Sequence, residues 1–228
     1  MYAIFPVAAG QGCPFAAEGV IYRLWLSDIA DVNALVPVAE REDTWRPSVA
    51  VATDEAGMLL RNSIAHYYGK GESALQDQVR AFAASGVPHD SCMVDDFLRH
   101  PERAERYKAI VFVGMRHRDA GREALLKRLA DKGVKCAFLT HENPITPTDF
   151  LRLVRDAGGY VPAEYGLEVD MNGSFISVHA LRGGKFNFHL PRRCSVHNMK
   201  TGACEVKDAE ILPLGLVAGE TCWFRLSD

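Results

Sequence analysis

The pattern of apolar and polar positions divides the chain into a middle part in which strands and helices alternate and an end made of strands. Short runs that are mostly apolar are typical of parallel strands covered on both faces. Between these runs, apolar residues recur with the spacing of a helix that has one buried face. The predicted strands are 48–54, 87–94, 109–114 and 134–140, and the predicted helices are 72–86, 119–133 and 147–157. This alternation predicts an α/β fold, a flavodoxin-like doubly wound parallel sheet.

The last helix of the middle part has a clear predicted start. Thr146 stands where an N-cap is expected, Pro147 at the first helical position, and Asp149 three residues after the cap. A threonine with an acidic or amide residue three positions later forms a capping box, and proline is favoured at the first position. Gly158 and Gly159 then predict the end of the helix.

Residues 164–228 have a different pattern, in which short alternating runs are separated by turn signals. The turn signals are Asn172-Gly173, Gly183-Gly184, Thr201-Gly202 and Gly219. Asn-Gly between two alternating runs is a strong hairpin signal. Phe186, Phe188 and Leu190 alternate toward one side. The segment therefore predicts a small antiparallel β-sandwich.

The N-terminal residues form a third, mixed segment. A strand is predicted at 20–26 and a short helix after Ser27, followed by the charged linker 40–47. The predicted organisation is an extension and linker at 1–46, an α/β domain at 47–163 and a β-domain at 164–228.

Composition narrows the classes of partner and compartment. The chain has 228 residues with a net charge of -3, so no basic surface points to nucleic acid or to an anionic membrane. No apolar run is long enough to span a bilayer. The six cysteines include no CxxC pair, which favours reduced thiols in a cytoplasmic protein over a disulfide framework.

Ionisable residues follow the predicted parallel strands at the sheet edge where open α/β folds bind ligands. The expected binding residues are Asp54, Glu55, Asp95 and Arg116, and the candidate catalytic residues are His117, His141 and Glu142. The alternative is that these are ordinary charged loop residues, since strand ends tolerate charge. No cofactor is indicated by any motif.

The sequence disfavours three further kinds of site. Cys136 lies two residues into a predicted strand rather than on a tight glycine-flanked turn, so burial is expected instead of nucleophilic catalysis. Cys194 and His197 should point to opposite faces of a strand, which disfavours a metal site there. The tryptophans Trp25, Trp45 and Trp223 could stack on sugar rings but more often serve as core residues.

Several segments resemble the C-terminal half of multi-domain β-galactosidases and related glycoside hydrolases. "RPSVAVATDE" (46–55) is similar to the entry strand of their trimerisation domain, and 107–140 to its following strand–helix–strand run. "GKFNFHLPRRCSVHNMKTG" (184–202) resembles a hairpin of their C-terminal β-domain, with Asn198 in place of the usual aspartate, and "GETCWFRL" (219–226) its closing strand. The resemblance implies a class I glutamine-amidotransferase-like α/β domain followed by a β-sandwich.

The resemblance implies an accessory function without catalytic residues, because the catalytic glutamates of that family lie on a (β/α)₈ barrel. The chain is then expected to be part of a larger glycosidase-like protein. It would self-associate as a dimer or trimer and support a barrel supplied in cis or in trans. The alternatives are a small amidotransferase-superfamily hydrolase that uses the strand-end residues, and a carbohydrate-binding module.

Overall fold

The structure is a computed structural model. The described residues are 47–54, 82–116, 118–140, 143–163 and 165–228. They form an α/β region with a parallel sheet, followed by a region with an antiparallel sheet. The predicted elements of 1–46, and most of the predicted helix 72–86, lie outside the described residues.

The parallel sheet has four strands in the order β2-β1-β3-β4. They are β1 (Val49–Thr53), β2 (Asp90–Met93), β3 (Ala109–Val113) and β4 (Lys135–Leu139). Each of the four predicted strands is confirmed, and all the pairings are parallel. The second strand is shorter than predicted, because Val94 already begins a helix.

Helices cover both faces of this sheet. They are α1 (Val94–Arg99), α2 (Pro101–Ala104), α3 (Ala120–Asp131) and α4 (Pro147–Asp156). One buried cluster joins Val49, Val111 and Phe150 of α4, and the other joins Ala50, Ile110 and Leu129 of α3. Alternate residues of β1 and β3 thus pack to opposite sides, which explains why these strands are apolar throughout.

The start of α4 is as predicted. The Thr146 hydroxyl accepts from the Asp149 N–H at 3.1 Å, and the Thr146 N–H donates to Asp149 Oδ2 at 3.3 Å. These reciprocal bonds form the complete capping box, with Pro147 at the first helical position.

The antiparallel sheet has five strands in the order β5-β6-β9-β7-β8. They are β5 (Leu167–Asn172), β6 (Phe175–Ala180), β7 (Gly184–Asn198), β8 (Cys204–Leu216) and β9 (Thr221–Ser227). Asn172 is paired with Phe175, so the predicted hairpin has Gly173 and Ser174 as its loop. Gly173 has φ +57°, a conformation that glycine adopts without steric cost.

The strand β7 continues through Pro191. Its register with β8 shifts between His189 and Cys194. Proline has no N–H to donate, so within a sheet it is tolerated at such an irregularity. The first half of β7 pairs with β8, and the second half pairs with both β8 and β9.

One face of this sheet supplies a single apolar core. The cluster takes residues from all five strands, among them Val169, Ile176, Phe188, Leu212 and Phe224. The strands belong to one sheet, and Ala163 and Tyr160, which precede β5, also pack in this core. The sheet thereby builds the core that the sequence prediction assigned to two packed sheets.

Asn198 holds the turn between β7 and β8. Its Oδ1 accepts from the N–H groups of Lys200 and Thr201 at 3.0 and 3.2 Å. Its amide nitrogen also donates to Glu205 Oε1 at 3.0 Å. The Asn198 side chain therefore supports the turn and adds a cross-strand bond.

Candidate functional site

The carboxyl edge of the parallel sheet is organised around Asp54, the residue after β1. Its backbone N–H donates to Val113 O at 2.9 Å, and its side chain is fully buried. Asp54 follows β1, one of the two central strands. In the order β2-β1-β3-β4, β2 lies on one side of β1, and β3 and β4 lie on the other side. In open α/β sheets this is the point at which ligands bind.

Arg122, in the first turn of α3, occupies this position. Its Nη2 donates to Asp54 Oδ1 at 2.8 Å and its Nε to Asp54 Oδ2 at 3.1 Å. Arg122 is itself only 6% exposed. Both oxygens of the Asp54 carboxylate therefore accept from one guanidinium, in the bidentate geometry that makes such pairs strong.

Asp119 holds the other side of the same guanidinium. It is the N-cap of α3, where Oδ1 accepts from the Arg122 N–H at 2.8 Å, and its Oδ2 accepts from Arg122 Nη1 at 2.6 Å. Asp95 lies farther away, 3.8 Å from Nη2. The bond to Asp54 is the main cause that raises the pKa of Arg122 above its ordinary value. The guanidinium stays charged at every pH at which the protein folds.

This arrangement stabilises the fold more readily than it supports catalysis at Asp54. A general base must be able to take a proton from a substrate, and both Asp54 oxygens are already engaged. Asp95 and Asp119, with side chains 49% and 44% exposed, are the accessible carboxylates of the group.

The other predicted residues of this edge are only partly described. Arg116 is exposed, and its N–H donates to Gly114 O at 2.9 Å. Glu55, His117, His141 and Glu142 lie outside the described residues, so the roles predicted for them stay predictions. The structure thus brings Asp54 and Asp95 to one guanidinium.

Arg122 is not among the site residues predicted from the sequence, although the helical period contains the signal. Arg122, Leu125 and Leu129 are the buried residues of α3, at a spacing of three and four. An arginine on the apolar stripe of a helix is buried, and it therefore needs a carboxylate partner. Asp54 directly follows the buried strand β1, so it is a natural candidate for that partner.

The thiol of Cys136 lies half-buried within β4. Burial raises its pKa to about 11. A thiol with this pKa is almost wholly protonated at neutral pH, and the thiolate is the nucleophilic form. Cys136 therefore lacks the activation that a cysteine nucleophile requires.

A second polar cluster lies at the edge strand β2. The Tyr107 hydroxyl donates to Asp90 Oδ2 at 2.7 Å, and Arg106 Nη2 donates to the same oxygen at 3.1 Å. Burial raises the pKa of Tyr107, which keeps the hydroxyl in its donating form. These bonds tie β2 to the segment that leads into β3.

The described residues offer neither a metal-binding cluster nor a membrane-spanning helix. They contain no group of three or more His, Cys, Asp or Glu side chains arranged to hold a metal ion. Among their helices, none combines the length and the apolar character needed to cross a membrane.

Comparison with known proteins yields a likeness of fold. No protein-family model and no curated protein sequence matches the chain. The crystal structure of β-galactosidase from Bacillus circulans sp. alkalophilus matches 81% of this chain, with a TM-score of 0.53 and 10% sequence identity. The match covers 42% of that chain, so this chain spans less than half the length of the β-galactosidase.

A second similarity is too weak to carry an argument. α-Amylase from Geobacillus thermoleovorans, in complex with acarbose, matches with a TM-score of 0.23 and 9% identity, over 69% of this chain and 48% of that one.

At 10% identity the β-galactosidase match establishes a related fold, and a fold can host many functions.

Proposed function

We propose that this chain is a non-catalytic accessory and oligomerisation region of a β-galactosidase-like glycoside hydrolase. The observation that carries the proposal is the β-galactosidase match, which includes most of this chain but less than half of that enzyme. A region of this size in a glycosidase would accompany a separate catalytic domain, such as a barrel supplied in cis or in trans.

The state of the carboxyl edge supports an accessory role. In the proposal the α/β region is flavodoxin-like and amidotransferase-like, since its strand order agrees with the first four strands of the 2-1-3-4-5 order. Enzymes of such folds place ligands at the switch point. Here the side chains of Asp54 and Arg122 meet at that point in a buried ion pair.

The proposal includes self-association as a dimer or trimer and a cytoplasmic location. The location is supported by the cysteines, because those the structure describes are all free thiols. They are Cys92, Cys136, Cys194, Cys204 and Cys222. Unpaired thiols are usual where glutathione and thioredoxin keep proteins reduced.

Sedimentation velocity over a wide range of protein concentration tests the proposal. The expected result is a dimer or trimer whose fraction rises with concentration, together with no hydrolysis of nitrophenyl galactoside by the chain alone. A monomer at every concentration would contradict the oligomerisation role. Hydrolysis by the chain alone that is lost on substituting His117, His141 and Asp95 together would favour the hydrolase alternative.

A further inference from the structure

The outer face of the antiparallel sheet places a small residue among four larger ones. Ser177 on β6 is paired with Asp170 on β5 and with Trp223 on β9. Directly paired residues of antiparallel strands share a face, as do residues two apart on one strand. Phe175 and His179 therefore flank Ser177 along β6.

These four neighbours surround a low point of the sheet face, here named the Ser177 recess. Adjacent strands are about 4.8 Å apart, so the Cα atoms of Asp170 and Trp223 lie roughly 10 Å from each other. Along β6, Phe175 and His179 are four residues apart, or roughly 13 Å. Ser177 contributes only a hydroxymethyl group between them. Ser177 therefore leaves more open space above the sheet than a larger side chain at this position would leave.

The carboxylate of Asp170 gives the recess an unused hydrogen-bond acceptor. Asp170 is exposed, and no hydrogen bond or ion pair engages it within the part of the chain that the structure describes. Loss of hydration nevertheless raises the pKa of its carboxyl, and nearby His89 partly offsets the rise.

The other side chains of the recess are suited to a neutral ligand. His179 Nδ1 lies 2.8 Å from Thr221 Oγ1, which fixes the ring and leaves Nε2 outside this contact. Trp223 and Phe175 are half-buried aromatic rings on the same face. Aromatic rings stack on the C–H faces of sugars, while carboxylate, hydroxyl and imidazole groups bond to hydroxyls at the ring edge.

We propose that the Ser177 recess binds one neutral sugar unit of a carbohydrate. The ring stacks on Trp223, and its hydroxyls bond to Asp170, Ser177 and His179. Arg225 is paired with Phe175 on the same face, so the charges around the recess are of both signs and fit a neutral ligand. The choice of a galactoside as the first probe rests on the proposed glycosidase relationship. The assignment of the recess as a sugar site rests on its own residues.

Titration of the full-length chain with lactose, followed by amide and indole NMR shifts, tests this site. The expected result is saturable shifts at Ser177, Asp170 and the Trp223 indole, with a Kd on the order of 1 mM. Ser177→Leu fills the recess and should weaken binding at least about tenfold, because the ring can no longer reach Trp223. Asp170→Asn, which keeps the shape, should weaken it about five- to tenfold.

Ser227→Leu is the matched control, because Ser227 lies on the same strand and face as Trp223 but four residues away. It should leave the Kd unchanged. Thermal unfolding of each variant should stay close to that of the original chain, since Ser177 and Asp170 lie outside the apolar core.

Two outcomes would overturn the proposal, and one separates it from the proposed function. Absence of saturable shifts with lactose, cellobiose and maltose would exclude the site. Binding that persists in Ser177→Leu would place it elsewhere. Binding of cellobiose but not lactose would support the recess while counting against the galactosidase assignment, which sedimentation tests independently.

Discussion

At the scale of single residues, the ion pair of Arg122 and Asp54 determines what the carboxyl edge of the parallel sheet can do. Removing one member of a buried pair leaves the other charged and unpaired, which usually costs about 3–5 kcal/mol. Replacing both members by apolar residues of similar volume is often neutral. The pair therefore gives a clear test of whether this edge is structural.

Arg122→Met should lower the free energy of unfolding by about 3–5 kcal/mol at pH 7, because Asp54 remains buried without its partner. Urea denaturation of the variant measures the loss.

Two companion variants distinguish the ion pair from a general effect on α3. Lys127→Met, at an exposed position of the same helix, should change stability by less than about 0.5 kcal/mol. Asp54→Leu combined with Arg122→Met should recover most of the loss. A double variant as unstable as Arg122→Met alone would contradict the ion-pair explanation.

Cys136 offers a second test at this scale. With a pKa of about 11, roughly one thiol in a thousand is ionised at pH 8. Iodoacetamide should therefore modify the exposed Cys204 well before Cys136, as followed by mass spectrometry of peptides. Equal rates at pH 7 would show an activated thiol and would revive the hydrolase alternative.

At the scale of elements, the sequence predicts those parts whose signals are local. The capping box of α4 and the Asn172-Gly173 hairpin depend on residues within a few positions of each other. By contrast, α1 and α2 are too short for a helical period, and Pro101 separates them. The continuity of β7 through Pro191 depends on its register with β8, which no local pattern contains.

Thr146→Ala should destabilise the protein by about 1 kcal/mol, because an N-cap acceptor is lost. Hydrogen bonds from Thr146 lower the pKa of Asp149 in the folded protein. The stability that this part of the capping box contributes is therefore fully present above about pH 4, the pKa of an aspartate in the unfolded chain. It is lost as the pH falls through the lower pKa of the folded state. The difference from the original chain, measured by urea denaturation, should therefore narrow in strong acid.

Thr148→Ala is the control for this prediction, since Thr148 is exposed in the same helical turn. Alanine has a higher helix propensity than threonine, so this variant should be neutral or slightly stabilising. Similar losses in both variants would show that the cap contributes nothing specific.

At the scale of the whole molecule, the two sheets have separate apolar cores that are joined by a few backbone contacts. The Gly166 N–H donates to Ala84 O at 3.2 Å, and the His189 N–H donates to Pro162 O at 2.7 Å. The Tyr160 hydroxyl also donates to His189 O. Regions with separate cores open separately when one of them is weakened.

Arg122→Met should therefore speed amide hydrogen exchange in β1–β4 and leave exchange in β5–β9 close to that of the original chain. Exchange followed by NMR or mass spectrometry measures both sets of amides in one experiment. Equal acceleration in the two sheets would show that they unfold as one unit.

The candidate site was less predictable than the fold because it depends on contacts between residues that are far apart in the sequence. The sequence identifies which residues follow the strands, but it does not show which charges neutralise each other across the sheet. Asp54 and Arg122 are 68 positions apart and meet only because β1 and β3 are neighbours. The Ser177 recess likewise depends on three strands whose order the sequence does not give.

The central position of β9 has a consequence for how the antiparallel sheet is made during synthesis. The hairpin of β5 and β6 and the hairpin of β7 and β8 emerge from the ribosome first, yet β9 lies between them. Until Thr221–Ser227 has been translated, the nascent hairpins expose the edges that β9 will later pair with. A pause in translation just before this segment would therefore be the moment of greatest exposure to chaperones and to aggregation.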